Sequence, residues 1–167
     1  PSSTTDNERL AMRVTLTTTV ETDIPPGVIR RALLDFSDER PNRWPQLDPE
    51  TYEAHWVGET SAEITEGSPY PKVWSRERYD WSHPTIIRWT AQESNFCTPG
   101  SYVSMDIQPT PSGGSSVTAT WDRTAANARG RTNLAVIRLG GQRLLRWATE
   151  RSLSDVATSY ATETNQE

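Results

Sequence analysis

From residue 52 to residue 123 the chain passes through six short segments of alternating polarity, separated by turn-forming residues, and then closes with one long helix. Few folds accommodate that order. The predicted strands are 52–58, 61–66, 72–81, 85–93, 102–108 and 116–123, and the separators are Gly58–Thr60, Gly67–Pro71, Ser82–Pro84, Thr98–Gly100 and Pro109–Gly114. Links this short cannot hold a crossover helix, so neighbouring strands are predicted antiparallel. Val103, Met105 and Ile107 alternate with Ser104 and Asp106, and Val117, Ala119 and Trp121 alternate with Thr118 and Thr120. Each of these strands therefore has one dry face. A Thr- and Val-rich run over 13–21 predicts another strand ahead of them. Pro25 and Pro26 then start a helix through Phe36 whose apolar stripe is Ile29, Leu33 and Phe36. Pro41, Pro45 and Pro49 break the region around Trp44 and leave room for one short helical turn.

The closing helix is predicted over 131–157. At 100° per residue Leu134, Ile137, Gly141, Leu144, Leu145 and Ala148 share a face, flanked by Gly140 and Trp147, with Arg143, Arg146 and Glu150 opposite. A helical glycine costs about 1 kcal/mol relative to alanine. A pair on the buried face therefore predicts that something else takes the space, either close backbone or a ligand. Arg129, Arg131, Arg138, Arg143, Arg146 and Arg151 spread round the helix and are predicted to be solvated.

The length of 167 residues suits one domain, predicted over 11–158, with a disordered segment at 1–10 and a flexible tail at 159–167. Seven tryptophans is a high count and points to a core or a cavity rich in aromatic rings. A net charge of −5 disfavours nucleic acid and anionic membranes as partners. Cys97 is the only cysteine, and His55 and His83 are far apart, so no disulfide, no metal and no cofactor are expected. No window approaches the ~20 apolar residues of a membrane span. The expectation is a cytoplasmic protein, monomer or homodimer, without membrane insertion.

The span from about Arg13 to Val156 resembles the START/Bet v 1-like (SRPBCC) superfamily, the polyketide cyclase/dehydrase-like proteins. The resemblance rests on Ile24-Pro25-Pro26 with Leu34-Asp35, Trp44-Pro45, Trp74-Ser75-Arg76, Pro99-Gly100-Ser101, Gly113-Gly114-Ser115, Trp121-Asp122-Arg123 and the Gly140-Gly141 helix, in this order and spacing. It implies an α+β helix-grip fold: a curved seven-stranded antiparallel sheet wrapped around the long C-terminal helix, with one or two short helices after the first strand. It also implies an apolar cavity between sheet and helix for a lipid-like, aromatic or polyketide-like small molecule. Some relatives of this kind only bind; aromatase/cyclases fold a poly-β-keto chain and steer its condensation and dehydration.

Three functions follow as expectations: binding of a hydrophobic or aromatic small molecule, catalysis as a polyketide cyclase, aromatase or dehydratase, and a non-catalytic adaptor presenting exposed aromatics to a protein. Trp44, Trp56, Trp74, Trp89, Met105, Trp121, Ile137, Gly141 and Leu144 are the candidate ligand-binding residues. The strand over 72–81 is mixed on both faces. A two-residue connection to the next strand turns Arg76 and Arg78 inward, and a three-residue one turns Glu77 and Tyr79 inward. The catalytic candidates are therefore Arg76, for a carboxylate or enolate, and Tyr79, as donor to a ketone. The competing reading places Arg76 or Arg78 on a wet face, paired with Glu93. Arg123 shares the side of Trp121 by strict alternation and lies at a cavity mouth or in solvent, the latter favoured because unpaired arginine is seldom buried.

Overall fold

The structure, a computed structural model, describes residues 11–160. The chain builds β1 (Arg13–Thr22), α1 (Pro26–Leu33), α2 (Arg40–Arg43), β2 (Glu53–Val57), β3 (Ser61–Ser68), β4 (Val73–Asp80), β5 (Ile86–Ser94), β6 (Tyr102–Pro109), β7 (Ser115–Thr124) and α3 (Ala128–Ser159). All seven strands form one antiparallel sheet in the order β1-β7-β6-β5-β4-β3-β2. Hairpins run through β2 to β7 as the short separators require, and β1 is annexed beside β7, from Arg13 opposite Thr124 to Thr22 opposite Ser115. The expected 1–10 segment and most of the expected tail lie outside the described residues. Within them, α3 runs to Ser159 and Tyr160 is buried beside Trp44.

Alternation fixes which face is dry. Ala62 and Ile64 of β3, Ile87 and Ala91 of β5, Val103, Met105 and Ile107 of β6, and Val117 and Ala119 of β7 all point to the concave side and are buried. Val28, Ile29, Ala32 and Leu33 of α1 and Leu145, Leu153 and Val156 of α3 close over them. Phe36 joins this core from just beyond α1, which ends at Leu33 rather than at Phe36.

Asn127 caps α3 by accepting from the Gly130 amide at 3.0 Å. At Gly130 a Cβ would stand 1.9 Å from the Phe96 carbonyl oxygen, so only glycine lets the first turn of the helix approach that loop. Further on, α3 lies along β1. Gln142 Nε2 donates to Thr17 O at 3.3 Å and Arg146 Nη1 to Thr19 O at 3.2 Å, covering carbonyls of an edge strand.

The glycine pair has a backbone reason that helical spacing does not disclose. Gly141 adopts φ 54° and ψ −144°, a kink that divides α3 in two, and a Cβ there would meet nothing within 4 Å. Its glycine serves conformation, since L-residues rarely adopt this region. Gly140 is tight instead: a Cβ would fall 2.6 Å from Leu144 Cβ. Gly141→Ala is therefore expected to cost about 1–3 kcal/mol of stability without changing ligand binding. Thermal unfolding and a binding titration on the same variant check both halves; lost binding at unchanged stability would contradict the conformational role.

Candidate functional site

The cavity lies over β3, β4 and β5, where the 40–47 segment rather than the middle of α3 forms the opposite wall. On β3, Glu66 continues the inward series Ala62 and Ile64; on β4 the inward series is Ser75, Glu77 and Tyr79. Tyr79 pairs with Trp89 and Glu77 with Ala91 across β4 and β5, so the connection between these strands is the odd-length one. That register turns Glu77 and Tyr79 inward and Arg76 and Arg78 outward. Arg76 forms an ion pair with Glu63 of β3, so the wet-face pairing exists but with Glu63 in place of Glu93. Arg78 sits 4.8 Å from the centre of the Trp56 ring.

Two chambers result. The first, about 110 Å³, is bounded by Leu33, Arg40, Trp44, Tyr79, Met105 and Ser152. The second, about 220 Å³, is bounded by Val73, Trp74, Ser75, Glu77, Phe96 and Arg123. Gln46, Leu47, Glu66 and Trp89 belong to both, so the chambers share a wall. A larger recess of about 420 Å³ sits at the rim between Glu21–Asp23 and Thr110–Ser112, but Pro111 is the one apolar residue of its lining.

A buried polar cluster lines the first chamber and reaches the second through Glu66. Arg40 Nε donates to Glu66 Oε1 at 2.6 Å, Tyr79 Oη donates to Glu66 Oε2 at 2.8 Å, and Arg40 Nη2 lies 3.3 Å from Tyr79 Oη. Arg40 Nη1 turns the other way and donates to Leu33 O at 3.1 Å and Asp35 O at 3.0 Å, satisfying carbonyls at the end of α1. Its guanidinium is also 5.2 Å from the Phe36 ring centre. Burial opposes the Arg40 charge, but Glu66 and Tyr79 outweigh it and hold the guanidinium pKa above its ordinary value. Burial, reinforced by Glu66, pushes the Tyr79 phenol well above its usual range. Tyr79 is thus a neutral hydroxyl that keeps its proton and donates its hydrogen bond to Glu66.

Glu77 differs. It is 3% exposed, with Oε1 3.7 Å from Arg123 Nη1, and Oε2 has no hydrogen-bond partner among the described residues. Burial raises its pKa; Arg123 and a hydrogen bond from Ser75 oppose the rise without cancelling it, and Glu66 adds to it. Arg123 is held by Glu77, by the Phe96 ring at 5.3 Å and by Cys97 Sγ at 3.6 Å. The expectation of a solvated Arg123 is corrected: a partner was waiting on β4. In the first chamber Trp44 Nε1 is likewise buried without a partner among the described residues. Both residues line adjoining chambers and each carries a buried polar atom whose hydrogen bond is unmet among the described residues, a need that a ligand entering there can satisfy.

Of the residues proposed from sequence, Trp44, Trp74, Trp89 and Met105 line these chambers. The other five lie elsewhere. Trp56 is on the outer face of β2, Trp121 packs into the core, and Ile137 packs on Val14, Ala125 and Leu134. Gly141 is the kink, and Leu144 fills the space over Gly140. Arg76 is outward and Tyr79 inward but committed. Sequence reasoning missed Arg40 and Glu66, and named Glu77 only as turning inward with Tyr79 under a three-residue connection, without giving it a role. Period-two alternation from Ile64 marks Glu66 as inward, whereas nothing local marks Arg40 for burial.

No protein-family model and no curated protein matches the sequence. Solved structures do match. The di-domain aromatase/cyclase StfQ of the steffimycin biosynthetic pathway superposes at a TM-score of 0.69 and 15% identity, over 96% of this chain and 54% of that one. The Zhui aromatase/cyclase from Streptomyces gives 0.63 at 12% identity, over 93% of this chain and 95% of its own. A START superfamily protein from Mycobacterium smegmatis gives 0.62 at 11% identity, over 89% and 97%. The chain has the helix-grip fold of START/Bet v 1-like proteins. Among the described residues no helix is long and apolar enough to cross a membrane.

Proposed function

We propose that this chain binds a small aromatic or polyketide-like molecule in the paired chambers over β3–β5. The observation that carries this reading is Glu77, a buried carboxyl that lines a space walled by Trp74, Trp89, Phe96 and Leu47 and has one oxygen without a hydrogen-bond partner among the described residues. Flat aromatic walls suit a planar ligand. A hydroxyl on that ligand satisfies Glu77 Oε2, and a carbonyl at its other end satisfies Trp44 Nε1. Arg40 with Glu66, and Arg123 with Glu77, are charge-compensated pairs, so the molecule that fits is neutral. The aromatase/cyclases named above share this fold, which is consistent with such a ligand.

The expected result is a rise of several degrees in the unfolding temperature with a hydroxylated anthraquinone present well above its dissociation constant. Ser75→Leu places a side chain in the second chamber and is expected to abolish the rise. An equal rise in both proteins removes the chamber as the binding site.

The second reading is catalysis, favoured by the raised Glu77 pKa beside an open coordination position. On a β-hydroxy ketone the Glu77 carboxylate takes the proton from the carbon next to the carbonyl and, as the acid, returns it to the departing hydroxyl. Water leaves, the carbon–carbon double bond forms, and Glu77 ends as it began.

A further inference from the structure

Trp44 and Glu77, each with a buried polar atom unmet among the described residues, line different chambers. A ligand that satisfies both lies across the wall the chambers share. That wall is Gln46, Leu47, Glu66 and Trp89, and its two sides are held differently.

The sheet supplies Glu66 and Trp89, and both are fixed. Glu66 accepts from Arg40 Nε at 2.6 Å and from Tyr79 Oη at 2.8 Å. The Trp89 ring stacks on that of Tyr79, with 5.3 Å between centres and 14° between planes. Gln46 and Leu47 come from a short bridge of chain between two anchors. One anchor is Trp44, whose amide donates to Arg40 O at 3.0 Å and whose ring lies beside Tyr160. The other is Asp48. Its amide donates to Gly67 O at 2.9 Å, and its carboxylate accepts from the Glu50 amide at 3.0 Å and the Thr51 hydroxyl at 2.8 Å. Leu47 N donates to Trp44 O at 2.9 Å within the bridge, so its backbone is pinned and its side chains are what can give way. Gln46 is exposed, and its amide makes no hydrogen bond among the described residues. Leu47 is half-buried and packs on the core through apolar contact. Such a side chain turns between rotamers without breaking a hydrogen bond or stranding a charge, whereas moving Glu66 does both.

We propose that Leu47 selects ligands by length. The assignment rests on the binding reading above. A ligand of two fused rings stops at Leu47 in the second chamber, the roomier of the pair at about 220 Å³. A ligand of three rings displaces Leu47 to reach Trp44. The cost of displacement falls on the longer ligand alone, so the residue at this position sets the ratio of the two affinities.

Quenching of tryptophan fluorescence by a naphthol and by a hydroxyanthraquinone, titrated separately into the full chain, gives the two dissociation constants. Leu47→Ala opens the partition and is expected to shift their ratio by roughly tenfold or more toward the anthraquinone. Leu47→Phe closes it and is expected to shift the ratio the other way. Leu47→Val should act as alanine does, more weakly, and serves if the alanine variant does not fold. A ratio taken on one protein cancels any unfolded fraction. Ratios that stay within about twofold of the wild type, or that alanine and phenylalanine move in the same direction, overturn Leu47 as the length selector while wild-type binding leaves the proposed function standing. A wild type that binds neither ligand saturably overturns that function, and the length selection with it.

Discussion

Arg40→Met is expected to lower the unfolding temperature by roughly 10 °C, the largest loss from any single side chain of the site. The guanidinium is 4% exposed and holds Glu66, the Tyr79 hydroxyl and the last carbonyls of α1 at once. Methionine fills much of the volume but leaves the Glu66 carboxylate buried without its cation. Stranding one member of a buried ion pair costs about 3–5 kcal/mol. For a chain of this size each kcal/mol corresponds to about 2–4 °C. Arg40→Lys keeps the charge but cannot reach β3 and the end of α1 together, because a single ammonium lacks the guanidinium's fork. It should recover only part of the loss. The discriminating variant is Arg40→Met with Glu66→Gln, which removes the stranded charge. If the double variant is as unstable as Arg40→Met alone, the cost lies in the α1 carbonyls and not in the ion pair.

How far the sequence discloses this arrangement depends on the range of the forces involved. Strand alternation and turn chemistry are local, and they mark all seven strands and both long helical segments to within a few residues. The direction in which Tyr79 faces is settled by one residue of loop length between β4 and β5, and a sequence leaves that parity open. Gly141 shows a different limit. On a helical wheel it occupies the dry face, but a wheel assumes unbroken helix, and the residue is where the helix breaks. Arg123 looked destined for water because its partner, Glu77, is distant in the chain and adjacent only once β7, β6, β5 and β4 are side by side. Arg40 is the extreme case. Its four hydrogen-bonding regions come from α1, the loop after it, β3 and β4, so its burial is a property of the assembled fold.

Glu77→Gln is expected to change two measurements in opposite directions. Burial, opposed by Arg123 and Ser75 and reinforced by Glu66, raises the Glu77 pKa above the ordinary 4.5. Between 4.5 and that raised value the folded chain keeps a proton that the unfolded chain has released. The unfolded state binds fewer protons there, so stability falls as pH rises through this window and levels off above it. Glutamine carries no such charge. Wild type and variant should therefore unfold at nearly the same temperature below pH 4.5, and the variant should be the more stable of the two at neutral pH. Taking the difference between the two proteins cancels every titrating group they share. Activity should move the other way. Glutamine still offers its carbonyl to Arg123 and its amide to a ligand, so affinity for a hydroxylated anthraquinone should change only a few-fold. It cannot carry a proton from carbon to a departing hydroxyl, and the rate of β-hydroxy ketone dehydration should drop by about 10²–10⁴. An unchanged rate with the stability gain intact would leave Glu77 as a binding group alone. A variant that loses stability at neutral pH would show that Arg123 needs the charge more than burial opposes it.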